Sequence, residues 1–268
     1  MIGQAMPFGR PSARWLLRAS AAMALLMLGA TAAAPQPLAA TGESIVATLL
    51  RWTPLIAQGF ALNLAISVLA MAIGTVAGVA LGLARLSLLR PVRGGAWVIT
   101  QFFRNAPWLA LLFFCVYALP HNASIAGVRF TIPDWTKATL GLALPVMANV
   151  AEILRGAIQA IPNTQWQAAR AVGLSRYLTM RLVILPQCLK PALPPWMNWY
   201  AILTMATPLA SIVGVTEAVQ VTSEALVAEA HFELLMPMYL YLLVWFFLYC
   251  YPIALWTEHL ERKYGVNQ

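Results

Sequence analysis

Arg51 and Arg85 enclose 33 residues without one formal charge. An apolar run that long exceeds what a helix in a water-soluble core needs, and it is ample for a bilayer crossing of about 20 residues. Comparable uncharged stretches lie between Arg18 and Glu43, Arg104 and Arg129, Lys190 and Glu217, and Glu233 and Glu258. A further run after Lys137 reaches bilayer length only if Glu152 and Arg155 belong to the same helix near one end, where their three-residue spacing lets them pair. Composition agrees: 61% of residues are hydrophobic and only 10% charged, against about 25% charged in an ordinary soluble domain. That excludes a soluble globular fold and intrinsic disorder. The expectation is an all-α integral membrane protein with spans near 19–39, 56–84, 97–119, 138–158, 191–213 and 234–256.

The net charge of +8 would suggest nucleic acid in a soluble chain, but here the basic residues fall between spans and read as a topology signal. With the N-terminal arginines Arg10, Arg14 and Arg18 placed in the cytoplasm, all of the 17 Lys and Arg except Arg51, Arg129 and Lys137 are cytoplasmic. The acids Glu43, Asp134, Glu217, Glu224, Glu229 and Glu233 fall outside, and the C-terminus is cytoplasmic. The first apolar run has two readings. Three arginines, an Ala/Leu/Met-rich run and small residues at Ala39 and Ala40 suit a cleavable signal peptide; a retained helix suits them equally. Cys115, Cys188 and Cys250 have no metal-ligand spacing and read as packing residues.

The segment after the fourth span carries the most information. Ile161-Pro162 ends that span, since proline disfavours helix at the preceding residue. Thr164 and Gln167 have the spacing of a capping box for a short helix. Ala168, Ala169 and Ala171 give it a small-residue face, and Gly173 suits a left-handed helix stop. Ser175 can cap a second short helix that Pro186 ends. One reading is a rigid two-helix unit that docks in a partner's groove. The other is a hairpin lying on lipid, with Arg170, Arg176 and Arg181 facing phosphates.

Gln167-Ala168-Ala169, with Gly173 four positions on and Val183-Ile184-Leu185-Pro186 at the far end, resembles the EAA loop of ABC importer permeases. The departures are Gln167 for Glu and Val183 for Ile. Two further stretches, Ala151 to Ile158 and Arg104-Asn105-Ala106-Pro107-Trp108-Leu109, resemble the polar amino-acid branch of these permeases. The resemblance covers roughly 59–256. It implies five core transmembrane helices, a second permease subunit, cytoplasmic ATPase subunits and an extracytoplasmic solute-binding protein. It also makes Gln167, Ala168, Ala169, Gly173, Leu185 and Pro186 the coupling contact, and ATP and Mg the partner's cofactors. The chain has no phosphate-binding loop of its own around Lys137, Lys190 or Lys263, so it reads as a non-catalytic subunit. On this reading residues 1–54 are an apolar segment and linker, 55–257 the permease domain with its coupling loop at 160–186, and 258–268 a tail.

Other features have plainer readings beside the functional ones. Gly74, Gly78 and Gly82 form a small-residue stripe for close helix packing. Glu152 and Arg155 read as an ion pair at a span end. Asn63, Ser67, Asn149, Asn198, Thr204 and Thr207 are the polar residues within spans, available to solute or to neighbouring helices. The branch's usual charged residue before Thr-Ser-Leu is absent at Met205-Ala206-Thr207-Pro208-Leu209, and Pro208 predicts a kink. For an intramembrane enzyme there is no H-E-x-x-H or G-x-S-x-G, and a single Asp, Asp134, excludes a paired-aspartate protease. A secondary carrier or a non-transport assembly protein remains the alternative on composition alone.

Overall fold

The computed structural model describes residues 44–125 and 128–264. The apolar run near 19–39, and with it the choice between signal peptide and retained helix, lies outside the described residues. The elements are α1 (Ile45–Ala84), α2 (Arg90–Asn105), α3 (Trp108–Ala118), the antiparallel hairpin β1 (Asn122–Ile125) and β2 (Val128–Thr131), α4 (Asp134–Gln159) and α5 (Asn163–Ala171). Then come α6 (Arg176–Leu178), a π-helical stretch (Thr179–Ile184), α7 (Leu185–Ala206), a 3₁₀ stretch (Thr207–Val213), α8 (Ala218–Glu229), a 3₁₀ turn (Phe232–Leu234) and α9 (Leu235–Tyr264). The fold is all-α but for the hairpin.

Among the described residues α1, α4 and the run Phe232–Tyr264 are each long and apolar enough to cross a membrane, and two bent helix pairs bring the possible count to five. That matches five core spans, but their ends and shapes differ from the expected ones. Ser44 caps α1 by accepting from the Ala47 N–H at 3.3 Å, so the helix starts well before 56 and runs straight through Pro54. The domain boundary drawn at residue 54 therefore falls inside α1. Thr48 and Trp52 are buried and hold this outer turn against the bundle. At 1.5 Å per residue the helix is about 60 Å long, twice the hydrocarbon thickness.

The expected span 97–119 is broken. Ala106, which precedes Pro107, is extended at φ −71, ψ 139, as the proline ring demands. The axis turns by 105° between α2 and α3. Trp108 at the start of α3 stacks on Trp199 of α7 with ring centroids 6.3 Å apart. The expected span 191–213 begins much earlier. Pro186 does not end a helix; it sits in the first turn of α7, where a missing N–H costs little, and the π-helical stretch before it takes up the mismatch in hydrogen bonding. The same run then breaks after Val213. Gly214 takes φ +89, a left-handed value open to glycine, and α8 departs at 50°.

Paired contacts give the helix directions. Along α1 and α4, Gly74 meets Val146, Gly78 meets Val150 and Gly82 meets Leu154, so the two helices run parallel. Along α9, Tyr241 bonds Thr53 and Tyr249 packs its ring on Phe60, so α9 also runs parallel to α1. In α7, Trp196 bonds Thr75, Tyr200 lies by Ser67 and Thr207 reaches Asn63, so α7 climbs against α1. α8 continues that climb, from Ala218 beside Asn63 to Glu229 beside Arg51. All chain directions therefore fit one bundle, with Arg85, Arg155 and Lys263 at one end and Arg51 and Asp134 at the other. Two of the cations on the sparsely basic side are neutralised: Arg51 pairs with Glu229 at 2.7 Å and Lys137 with Asp134 at 2.9 Å.

Candidate functional site

The glycine stripe brings α1 and α4 into close contact. A Cβ on Gly78 would lie 2.7 Å from the Met147 carbonyl oxygen and 2.7 Å from Val150 Cβ, while one on Gly82 would lie 3.1 Å from the Ala151 oxygen. Gly74 faces Val146 in the same way. The three glycines thus let α1 lie directly on the backbone of α4.

Of the six polar residues expected within spans, two meet. Asn63 Nδ2 donates to Thr207 Oγ1 at 3.0 Å. The same amide donates to Glu217 Oε2 at 2.8 Å, and its Oδ1 accepts from the Ala218 N–H at 3.1 Å. Glu217 Oε1 accepts from the N–H groups of Val219 and Gln220, both at 3.1 Å. Glu217 is fully buried at 0% exposure. It was expected as an external acid; instead it caps α8 within the bundle, where its charge meets the positive end of the helix. Gly59 permits this, since its Cβ would lie 2.7 Å from the Ala218 nitrogen.

The other four polar residues serve their own helices or lie apart. Ser67 donates to the Leu64 carbonyl at 2.8 Å, and its hydroxyl lies 3.5 Å from Tyr200 Oη, which in turn meets Tyr249 Oη at 2.7 Å. Asn149 donates to the Pro145 carbonyl at 2.8 Å and Thr204 to the Tyr200 carbonyl at 2.9 Å. Asn198 is exposed on α7. The polar seam at the break thus joins Asn63, Thr207 and Glu217. A carboxylate next to a Gly-Val-Thr turn at the end of a long uncharged run was the signal for the third member.

At the other end Glu152 holds Arg155, with Nε at 2.9 Å, as its spacing indicated. It also binds Arg85, which caps the C-terminal end of α1. The Arg85 side chain is only 8% exposed, so the trio ties the ends of α1 and α4 together just before residue 160. Replacing Glu152 by Gln is expected to cost about 1–3 kcal/mol, because a nearly buried guanidinium loses its charged partner. A lowered thermal midpoint of the purified protein would show it; Arg155→Gln should have less effect, since its side chain is 30% exposed.

The loop after α4 has the expected two-helix form with altered details. α5 begins at Asn163 after Pro162, with no side-chain cap, so Thr164 and Gln167 do not form a capping box. The Gln165 N–H bonds the Pro162 carbonyl at 3.0 Å and starts the turn one residue early. Gly173, at φ +80, ends the helix: its N–H bonds the Arg170 carbonyl at 2.9 Å and the Leu174 N–H bonds the Ala169 carbonyl at 3.1 Å. Those two bonds define a Schellman end. Ser175 caps the next turn by accepting from the Leu178 N–H at 3.4 Å. The two alanines point differently. Ala169 is buried at 5% exposure, while Gln167 and Ala168 are exposed. Trp166 and Ile161 pack into a cluster built on Leu154, Ile158, Ile184 and Cys188, which fixes α5 to the feet of α4 and α7. Leu185 is half-buried and Pro186 exposed at the start of α7.

Residues 74–266 match the family model described as binding-protein-dependent transport system inner membrane component. The chain belongs to this family of ABC importer permeases. It is 35% identical over 212 residues to the probable amino-acid ABC transporter permease protein YckA of Bacillus subtilis (strain 168), covering 79% of this chain and 90% of that one. It is 35% identical over 164 residues to the glutamine transport system permease protein GlnP of Escherichia coli (strain K12), covering 61% and 73%. Its fold matches a chain from the crystal structure of an amino acid ABC transporter with histidines, at a TM-score of 0.71 and 25% identity over 83% of this chain and 100% of that one. The chain is thus a multi-pass inner-membrane permease, the translocation subunit of an ABC importer.

Proposed function

We propose that this permease subunit forms part of the path for an amino acid or a related small polar solute. An extracytoplasmic binding protein delivers the solute, a second permease subunit completes the path, and cytoplasmic ATPase subunits, which bind ATP and Mg, drive it. The chain itself is non-catalytic, and the end carrying Arg85, the loop at 160–186 and the C-terminus faces the cytoplasm. The printed names of the amino-acid permeases above support the solute class.

The observation that carries the coupling role is the build of α5. It is a nine-residue helix with a fixed Schellman end, anchored from within by Trp166 and Ala169 and presenting Gln167 and Ala168 outward. A small, exposed, rigidly mounted face can seat in a groove and pass a rigid-body movement to α4 and α7. Enlarging Ala168 blocks that seat without touching the bundle; enlarging Ala169 disturbs the permease's own packing first.

Proteoliposomes holding the permease, its ATPase and its binding protein test the reading. ATP-dependent uptake of a labelled amino acid is expected, with Ala168→Trp abolishing uptake and releasing the ATPase on purification. Uptake without ATP, or unaffected by Ala168→Trp, would refute it. Gly173→Val forces a β-branched residue into the left-handed region at a cost of about 1–2 kcal/mol. No neighbour lies within 4 Å of its Cβ, so the damage is confined to the backbone at the corner. Uptake should fall several-fold, and Gly173→Asn, which tolerates that conformation, should recover most of it.

A further inference from the structure

We infer that an anionic phospholipid occupies an open groove of 360 Å³ between the end of α1 and the turn that follows the coupling corner. Its lining is mainly apolar, from Leu83, Leu86 and Met180, and also carries Ser87, Arg176 and Tyr177. The volume lies at the lower end of the range for small-ligand pockets, about 300–1,000 Å³. A mainly apolar lining with a cation and a phenol in it suits an amphiphile: acyl chain against the leucines, phosphate at the arginine. A free amino-acid solute would find no carboxylate in that lining for its ammonium group.

Three observations favour lipid as the occupant. The exposed apolar residues Val76, Val79 and Leu83 follow one another at three- and four-residue spacing down α1, and the last of them lines the groove. That stripe leads a chain from the bilayer directly into it. The groove also sits at the level of the Arg85–Glu152–Arg155 trio, at the end of the span, where headgroups lie. Finally, the charge is unmet. Among the described residues no carboxylate pairs with Arg176, Arg90, Arg93 or Arg181, and Glu152 is committed to Arg85 and Arg155. Exposed basic side chains beside a membrane face attract anionic headgroups by about 1 kcal/mol each. The inference divides the loop after α4 into two surfaces: α5 for a protein partner, and Arg176 to Met180 for lipid. It rests on the proposed orientation only for which leaflet supplies the lipid, and a reporter fusion at Arg176 tests that separately.

The test is native mass spectrometry of the assembled complex in detergent, titrated with phosphatidylglycerol and with phosphatidylcholine of the same acyl chains. Phosphatidylglycerol should be retained in preference. Arg176→Gln should weaken that retention about fivefold, the worth of one such cation. Met180→Trp should displace the lipid by filling the groove, while Lys190→Gln, outside it, should change nothing. A tenfold molar excess of inorganic phosphate should not displace it. If the variants fail to assemble, a photoactivatable phosphatidylglycerol on the unmodified complex should label residues 83–88 and 176–180. Equal retention of the two lipids overturns the inference, as do equal losses from Arg176→Gln and Lys190→Gln, displacement by phosphate, or labelling elsewhere. Cross-linking of Tyr177→Cys to the ATPase in the assembled complex would also overturn it, by showing a protein in the groove.

Discussion

Glu217→Ala is expected to destabilise the permease by about 1–3 kcal/mol, since two part-buried N–H groups, those of Val219 and Gln220, lose their acceptor. Glu217→Gln should also be damaging, for a geometric reason. Its new amide would face the Asn63 amide, donor against donor. Asn63 cannot rotate to answer it without turning its oxygen away from the Ala218 N–H. The double variant Glu217→Gln with Asn63→Asp restores donor to acceptor and should recover much of the loss. Thermal unfolding of the four proteins in detergent reads this as a double-mutant cycle with a coupling of about 1 kcal/mol or more. Additive losses would show that the two side chains do not act as a pair.

The second large effect falls on the α1–α4 contact. A side chain at Gly78 meets a carbonyl oxygen and a Cβ of α4, both at 2.7 Å, and neither can rotate away. Gly78→Val should therefore prise the two parallel helices apart, at the upper end of the overpacking range of about 1–3 kcal/mol. The series is graded. Gly82→Ala, with 3.1 Å contacts, should be milder than Gly78→Ala. Gly156→Ala, on α4 with no atom within 4 Å, should be neutral or stabilise by up to about 1 kcal/mol. Yield of monodisperse protein and its thermal midpoint measure the order. Equal tolerance of Gly78→Val and Gly156→Ala would contradict the packing account.

How much of this was legible in the sequence follows from what makes charge informative. Arg51, Arg85, Lys190 and Glu233 bound long uncharged runs because an unpaired charge is costly in lipid, so most core spans and their order could be read directly. The breaks could not. Apolar residues continue through Ala106-Pro107 and through Ile212-Val213-Gly214, and a run that stays apolar hides a bend. Pro107 and Gly214 were each visible, but single residues of those types occur in spans that do not break, as Pro54 and Pro145 show here. Glu217 was misplaced for the converse reason. A charge ending an apolar run reads as the end of a span, and only the fold shows Asn63 and the head of α8 waiting for it. The loop at 160–175 was legible because its spacing is local: Gly173 and Ser175 act on neighbours within five residues. The opposite facing of Ala168 and Ala169 was not, since it depends on which side of α5 meets Ile184 and Cys188.

Site-specific cross-linking on α5 tests the central claim most directly. The native cysteines offer little competition, Cys115 and Cys188 being buried and Cys250 half-buried. In the complex purified with its ATPase, Ala168→Cys should cross-link to that subunit through a short bifunctional thiol reagent, and the linked complex should lose ATP-dependent uptake. Ala169→Cys, facing inward, should link poorly. An Ala168→Cys protein that transports normally yet never links to the ATPase, at any stage of the ATP cycle, would contradict the account.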